Sequence, residues 1–156
     1  MADIKAADVS KLRKMTGAGM MDCKKALQEA GGDFDQAIEL IRKKGQAVAN
    51  KRADREATEG VVLAKTNDKK GALIVLNCET DFVAKNENFI DFASQILDIA
   101  LENLPADIDT LKGYSLDGKT VEDKVMEQVG IIGEKIELGF YDKIEAEDVV
   151  SYIHPG

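Results

Sequence analysis

The chain has 156 residues, 44% hydrophobic and 32% charged, a globular composition with enough length to bury a core in one domain or in a small domain joined to a larger one. No apolar run approaches the ~18 residues of a membrane-spanning helix, and Met1-Ala2-Asp3-Ile4-Lys5 lacks the basic-then-apolar layout of a signal peptide. The net charge of −8 is uneven: residues 1–55 carry 12 Lys and Arg against 8 Asp and Glu, and residues 56–156 carry 9 against 21, so most of the chain repels phosphate and a protein partner is favoured over nucleic acid.

Three short helices fit into the first 45 residues. The first spans about Ala6 to Met15, with Val9, Leu12 and Met15 near helical spacing, and Thr16-Gly17-Ala18-Gly19 breaks it. The second spans about Met20 to Ala30, burying Met20, Cys23, Ala26 and Leu27, and Gly31-Gly32 ends it. Asp33 with Gln36 three residues later resembles a capping box for the third, where Phe34, Ala37, Ile38 and Ile41 form the apolar stripe and Gly45 is the expected stop. Residues 46–59 are alanine-rich and charged, with Val48 as the only large apolar side chain, and read as a solvated linker able to be helical.

From Gly60 the texture changes. Val61–Thr66, the polar Asn67-Asp68-Lys69-Lys70 and the run Ala72–Leu76 predict a β-hairpin with a four-residue connection. A long amphipathic helix follows, with Phe89, Phe92, Ala93, Ile96, Leu97, Ala100 and Leu101 on one stripe and Pro105 marking its end. Residues 106–119 are turn-rich, anchored by Leu111, Tyr114 and Leu116. Thr120 and Asp123 predict the start of a helix burying Val121, Val125, Val129 and Ile132, with Gly133 at its end. Alternation in Ile136–Phe140 and in Val149–Ile153 suggests two more strands. The expected architecture is α+β: a three-helix domain over 1–46, a charged linker over 47–59, and a core domain over 60–156 with an antiparallel hairpin packed by helices. His154-Pro155-Gly156 is a turn signal directly behind an expected strand and reads as a cut through a larger domain.

Residue chemistry gives little support to covalent catalysis. Cys23 and Cys78 are far apart and read as buried, reduced thiols rather than a disulfide. A pairing of either with His154, the only histidine, has no local support, and His154 reads as a surface turn residue. These residues do not form a close-spaced zinc set, and Asp107, Asp109, Asp117, Glu122 and Asp123 lack EF-hand spacing. Gly17 and Gly19 have no strand before them and no lysine at the phosphate-loop offset. Neither a metal nor a cofactor is expected. Lys24 and Lys25 flank the second helix's apolar stripe and suit a solvated face or acidic and carbonyl groups on a partner.

The strand-to-helix corner Asn77-Cys78-Glu79-Thr80-Asp81-Phe82-Val83-Ala84-Lys85 holds an apolar pair, Phe82 and Val83, cut off from the helical stripe by Lys85-Asn86-Glu87-Asn88. Phe82 there is either a core plug or an exposed anchor between a carboxylate and a lysine, and spacing leaves both open.

Two motifs carry a resemblance. Thr16-Gly17-Ala18-Gly19-Met20-Met21-Asp22-Cys23-Lys24-Lys25-Ala26-Leu27 closely resembles the N-terminal signature of the bacterial translation elongation factor Ts family, and Thr80-Asp81-Phe82-Val83-Ala84-Lys85 resembles its second. The likeness covers nearly the whole chain. It implies a cytoplasmic guanine nucleotide exchange factor that binds the GTPase elongation factor Tu and promotes GDP release, and not an enzyme in the covalent sense. It implies that the N-terminal module is ubiquitin-associated-like and docks on a helix of the GTPase domain. Thr80, Asp81, Phe82 and Val83 would disturb the partner's magnesium site, Phe82 by inserting between side chains and Asp81 by polar contacts. Lys24, Ile132, Gly133 and His154 would make further contacts. No membrane or direct nucleic-acid contact is implied. Family members continue into a second core half that adds contacts and can mediate dimerisation, so a homodimer is expected only where that half is present. The alternatives are a protein-binding adaptor using the three-helix module without exchange activity, and a cysteine-dependent enzyme.

Overall fold

Short apolar repeats separated by glycine produce three helices at the start of the computed structural model, which describes residues 3–155: α1 (Ala6–Thr16), α2 (Met20–Glu29) and α3 (Phe34–Lys51). The chain divides into two compact units. One runs to Asp54 and takes in Met126–Glu134; the other comprises Arg55–Val125 and resumes at Lys135.

In the first unit the core is Val9, Leu12, Ala18, Cys23, Ala26, Leu27, Ala30 and Ala37, with Ile4, Phe34, Ile38, Leu40 and Ile41 packed against it. Asp33 caps α3 as its spacing predicts, its Oδ1 accepting the Gln36 N–H at 2.9 Å. The helix does not stop at Gly45, however. It continues to Lys51, so the first residues of the expected linker are helical. The reason lies in the segment contributed by α7 (Val121–Ile132): a Cβ at Gly130 would lie 2.6 Å from the Gly45 Cα. Two side-chain-free positions let the helix backbones meet, and that contact offsets the roughly 1 kcal/mol propensity penalty of glycine inside a helix.

Two methionines also differ from expectation: Met15 and Met20 are 54% and 56% exposed, and the adjacent Met21 is 63% exposed. In α1 the inward row passes from Leu12 to Thr16, whose hydroxyl donates to the Leu12 carbonyl, and in α2 it begins at Cys23.

The second unit is built on an antiparallel sheet of order β1-β2-β5, with β1 at Glu59–Asn67, β2 at Lys70–Cys78 and β5 at Glu137–Glu145. The hairpin is tighter than expected: Asn67 pairs with Lys70, leaving Asp68 and Lys69 as the loop, and Asp68 takes the positive φ of 48° that a two-residue turn demands. Ala72, Ile74, Leu76 and Cys78 alternate inward from β2 and meet the buried stripe of α5 (Glu87–Asn103), Phe89 through Leu101. The uniform inward side of β2 fixes its register, because a slip by one residue would expose the whole set. Opposite β2, Val75 faces Phe140 while Leu76 faces Leu138, so Gly139 is a bulge, and the Asn77 side chain fills the space a Cβ there would need.

Between α5 and β5 the turn-rich stretch folds into α6 (Ile108–Lys112) and a two-strand ladder, β3 (Ser115–Leu116) with β4 (Lys119–Thr120), pinned by buried Leu111 and Leu116. Thr120 caps α7 through its Oγ1, which accepts the Asp123 N–H at 3.1 Å. The second expected strand, Val149–Ile153, does not form. The Ala146 and Val149 N–H groups donate to the Lys69 and Asp68 carbonyls, folding this stretch over the hairpin tip instead of extending a ladder. Among the described residues no helix is long and apolar enough to cross a membrane.

Candidate functional site

Where β2 ends, the polar residues of the corner build a one-turn helix, α4 (Asp81–Ala84). Thr80 is extended (φ −120°, ψ 152°), and its Oγ1 accepts the Val83 N–H at 3.4 Å as an N-cap. The Thr80 carbonyl accepts the Ala84 N–H at 3.2 Å and the buried Cys78 thiol, also at 3.2 Å. At the other end the Lys85 N–H reaches the Asp81 carbonyl and the Asn86 N–H reaches that of Val83, both at 3.0 Å. Asn86 is itself the N-cap of α5, its Oδ1 accepting from Asn88 and Phe89. The polar break in the sequence is therefore the joint between two helices.

This frame leaves Phe82 83% exposed and Val83 half-buried. The core-plug reading of Phe82 is excluded. Asp81 and Lys85 form an (i, i+4) ion pair at 3.0 Å on the exposed side. The hydrogen bond and charge of Lys85 hold the Asp81 carboxyl below its ordinary range, and Asp81 raises Lys85 in turn. In water such a pair orients side chains more than it stabilises the fold.

A longer connection lies beside the helix. Glu79 Oε1 accepts the backbone N–H of Lys135 at 2.7 Å, and Lys135 Nζ donates to the Arg55 carbonyl at 3.1 Å. Sequence reasoning missed it, because the two residues are 56 positions apart and neither lies in a recognisable motif.

The remaining residues singled out from the sequence lie in several elements. Lys24 is exposed on α2 in the first unit, close in sequence to the exposed Met20 and Met21. Ile132 and Gly133 end α7 in that unit's second segment, both half-buried, with Gly133 at φ +79° donating its N–H to the Val129 carbonyl at 2.8 Å. His154 is exposed in the second unit, its Nδ1 3.0 Å from the Tyr152 hydroxyl. Thr80–Val83 form one local group, and Ile132 and Gly133 adjoin at the end of α7.

Both cysteines are buried with structural contacts: Cys23 Sγ lies 3.7 Å from the Ala18 carbonyl and 3.8 Å from Thr16 Oγ1. A buried thiol in neutral surroundings is a packing group, not a nucleophile. Among the described residues no three His, Cys, Asp or Glu side chains are grouped to hold a metal ion. The corner presents an exposed aromatic group beside a carboxylate, an arrangement suited to binding.

Comparison with known proteins gives a consistent result. A family model described as Elongation factor TS matches residues 79–156. An elongation factor Ts of Christiangramia forsetii is 60% identical over 158 residues, covering 100% of this chain and 57% of its own length. That of Amoebophilus asiaticus is 56% identical over 155 residues (98% and 56%), and that of Porphyromonas gingivalis 53% over 150 residues (96% and 55%). The chain thus spans a little over half the length of these curated relatives.

Proposed function

The chain belongs to the elongation factor Ts family, and on that premise we propose that it is a guanine nucleotide exchange factor acting on elongation factor Tu in the cytoplasm during translation elongation. The observation that carries this reading is the exposure of Phe82 on a helix capped at both ends. An aromatic group held in solvent by a polar frame serves nothing in the chain's own core and fits the role of an interface anchor.

In this reading Phe82 inserts between side chains of the GTPase near its magnesium site, Val83 packs beside it, and Thr80 holds the turn. Asp81 exchanges its contact with Lys85 for polar groups of the partner. Magnesium requires near-ideal octahedral geometry, so a small displacement of its surroundings weakens the ion and the nucleotide it bridges. Reciprocity sets the cycle: a wedge that loosens nucleotide is loosened by nucleotide to the same factor. No bond is made or broken by this chain.

The three-helix unit, read from sequence as a ubiquitin-associated-like module over 1–46, docks on a helix of the GTPase domain. Lys24 and the exposed methionines are its contacts, with Ile132, Gly133 and His154 contributing further ones. Any homodimer requires the part of the relatives that this chain does not span. The test is GDP release from purified elongation factor Tu, with Phe82→Ala beside the parent chain. The parent should accelerate release and the variant should not; equal acceleration by both would sink the wedge. Binding without any change in release would instead favour a docking adaptor.

A further inference from the structure

We infer that Glu79 is a positioning residue for the exchange reaction, fastening the corner that carries Phe82; this rests on the exchange reading above. Residues 79 and 80 connect the end of β2 to the first turn of α4, where the Thr80 carbonyl accepts the Ala84 N–H. Glu79 is half-buried there, and its carboxylate reaches out of the corner to the Lys135 N–H. At 2.7 Å this is at the short end of N–H···O geometry, as expected for an ionised acceptor.

Its partner is well placed. Lys135 follows the left-handed Gly133 by two residues and precedes β5 by two, so its N–H is past the helix and ahead of the ladder. The same residue's ammonium donates to the Arg55 carbonyl, four positions before β1. One carboxylate thereby ties the end of the central strand to the segment entering one neighbour, and Lys135 carries the tie to the segment entering the other. The Cys78 thiol bond to the Thr80 carbonyl secures the corner from beneath. A wedge acts through where its ring sits, so a fastening of its mount affects the effect of binding more than binding itself.

The experiment uses the full chain with Glu79→Ala, which removes the acceptor, and Glu79→Gln, which keeps an acceptor oxygen and loses the charge. In the free protein, amide hydrogen exchange at Lys135 and at Val83–Lys85 should quicken roughly tenfold in E79A, the weight of one charge-assisted hydrogen bond, while β1–β2 hairpin amides stay unchanged. E79Q should remain within about threefold of the parent. In GDP release from elongation factor Tu, E79A should lower the maximal acceleration while the half-saturating concentration moves less than about twofold. Unchanged corner amides, or hairpin amides quickening equally, would overturn the inference, as would E79Q matching E79A. Release by E79A equal to the parent, with Phe82→Ala inactive, would overturn the positioning role alone. A parent chain without effect on release would remove the exchange reading and this inference with it.

Discussion

The two units each place large apolar side chains in water, by different means. The three-helix unit exposes Met15, Met20 and Met21, unbranched chains with several soft torsions each. The sheet unit exposes Phe82 on a one-turn helix whose ends are both capped. Thioethers repack to whatever surface they meet, at the expense of side-chain freedom. A ring with two torsions on a fixed mount offers one shape. On the proposed exchange reading, the first would dock and the second would displace.

That contrast can be broken most directly at its extremes. Phe82→Ala should remove about 2–4 kcal/mol of transition-state stabilisation from nucleotide release, roughly thirtyfold or more, and leave urea unfolding within about 0.5 kcal/mol of the parent. Met20→Ala with Met21→Ala should instead raise the half-saturating concentration severalfold and spare the maximal rate. If the methionine pair matters to the maximal rate and Phe82 does not, the assignment of roles is inverted. A smaller effect tests the helical unit's frame. Gly130→Ala puts a methyl 2.6 Å from the Gly45 backbone and should cost about 1–3 kcal/mol in urea unfolding. The mirror change, Gly45→Ala, meets only ordinary contacts at 3.5 and 3.6 Å and should be neutral or stabilising.

Smaller still is the cap. Thr80→Ala should cost about 1 kcal/mol locally, read as faster exchange of the Val83 amide and a partial loss of the maximal release rate. The least is the ion pair. Because Lys85 lowers the Asp81 carboxyl, the pair's contribution is present above the ordinary carboxylate range and is lost as pH falls through the lowered value. Raised Lys85 loses its share only as pH climbs through the alkaline range. Carbon-detected titration should show an Asp81 midpoint below that of ordinary aspartates, returning to it in Lys85→Ala and in high salt. An unshifted midpoint would make the pair irrelevant to the corner.

Much of the frame was legible because it is local. Asp33, Thr120 and the alternation of Ala72, Ile74 and Leu76 each state their structure within a few residues. What escaped depends on distance. Gly45 reads as a helix stop until Gly130 meets it, 85 positions on. The alternation at Val149–Ile153 reads as a strand, but its first amide goes to the turn at Asp68. Near-helical spacing points Met15 inward, but Thr16 takes that place, and the inward row of α2 starts at Cys23 rather than at Met20. At the corner, spacing isolated Phe82 from the core stripe without saying which way it faced, and the family resemblance supplied a direction. The tie between Glu79 and Lys135 had no sequence signal.

The shared joint at Asn86, closing α4 and opening α5, has a kinetic consequence. A segment that folds on contact adds a slow, concentration-independent step and an entropic toll to every encounter. Here the backbone carrying the ring is already shaped before any partner arrives. Association should therefore scale linearly with concentration up to the diffusional and orientational limit, with no plateau from a local folding step. On the proposed exchange reading, turnover would then be set by how fast partners meet and part.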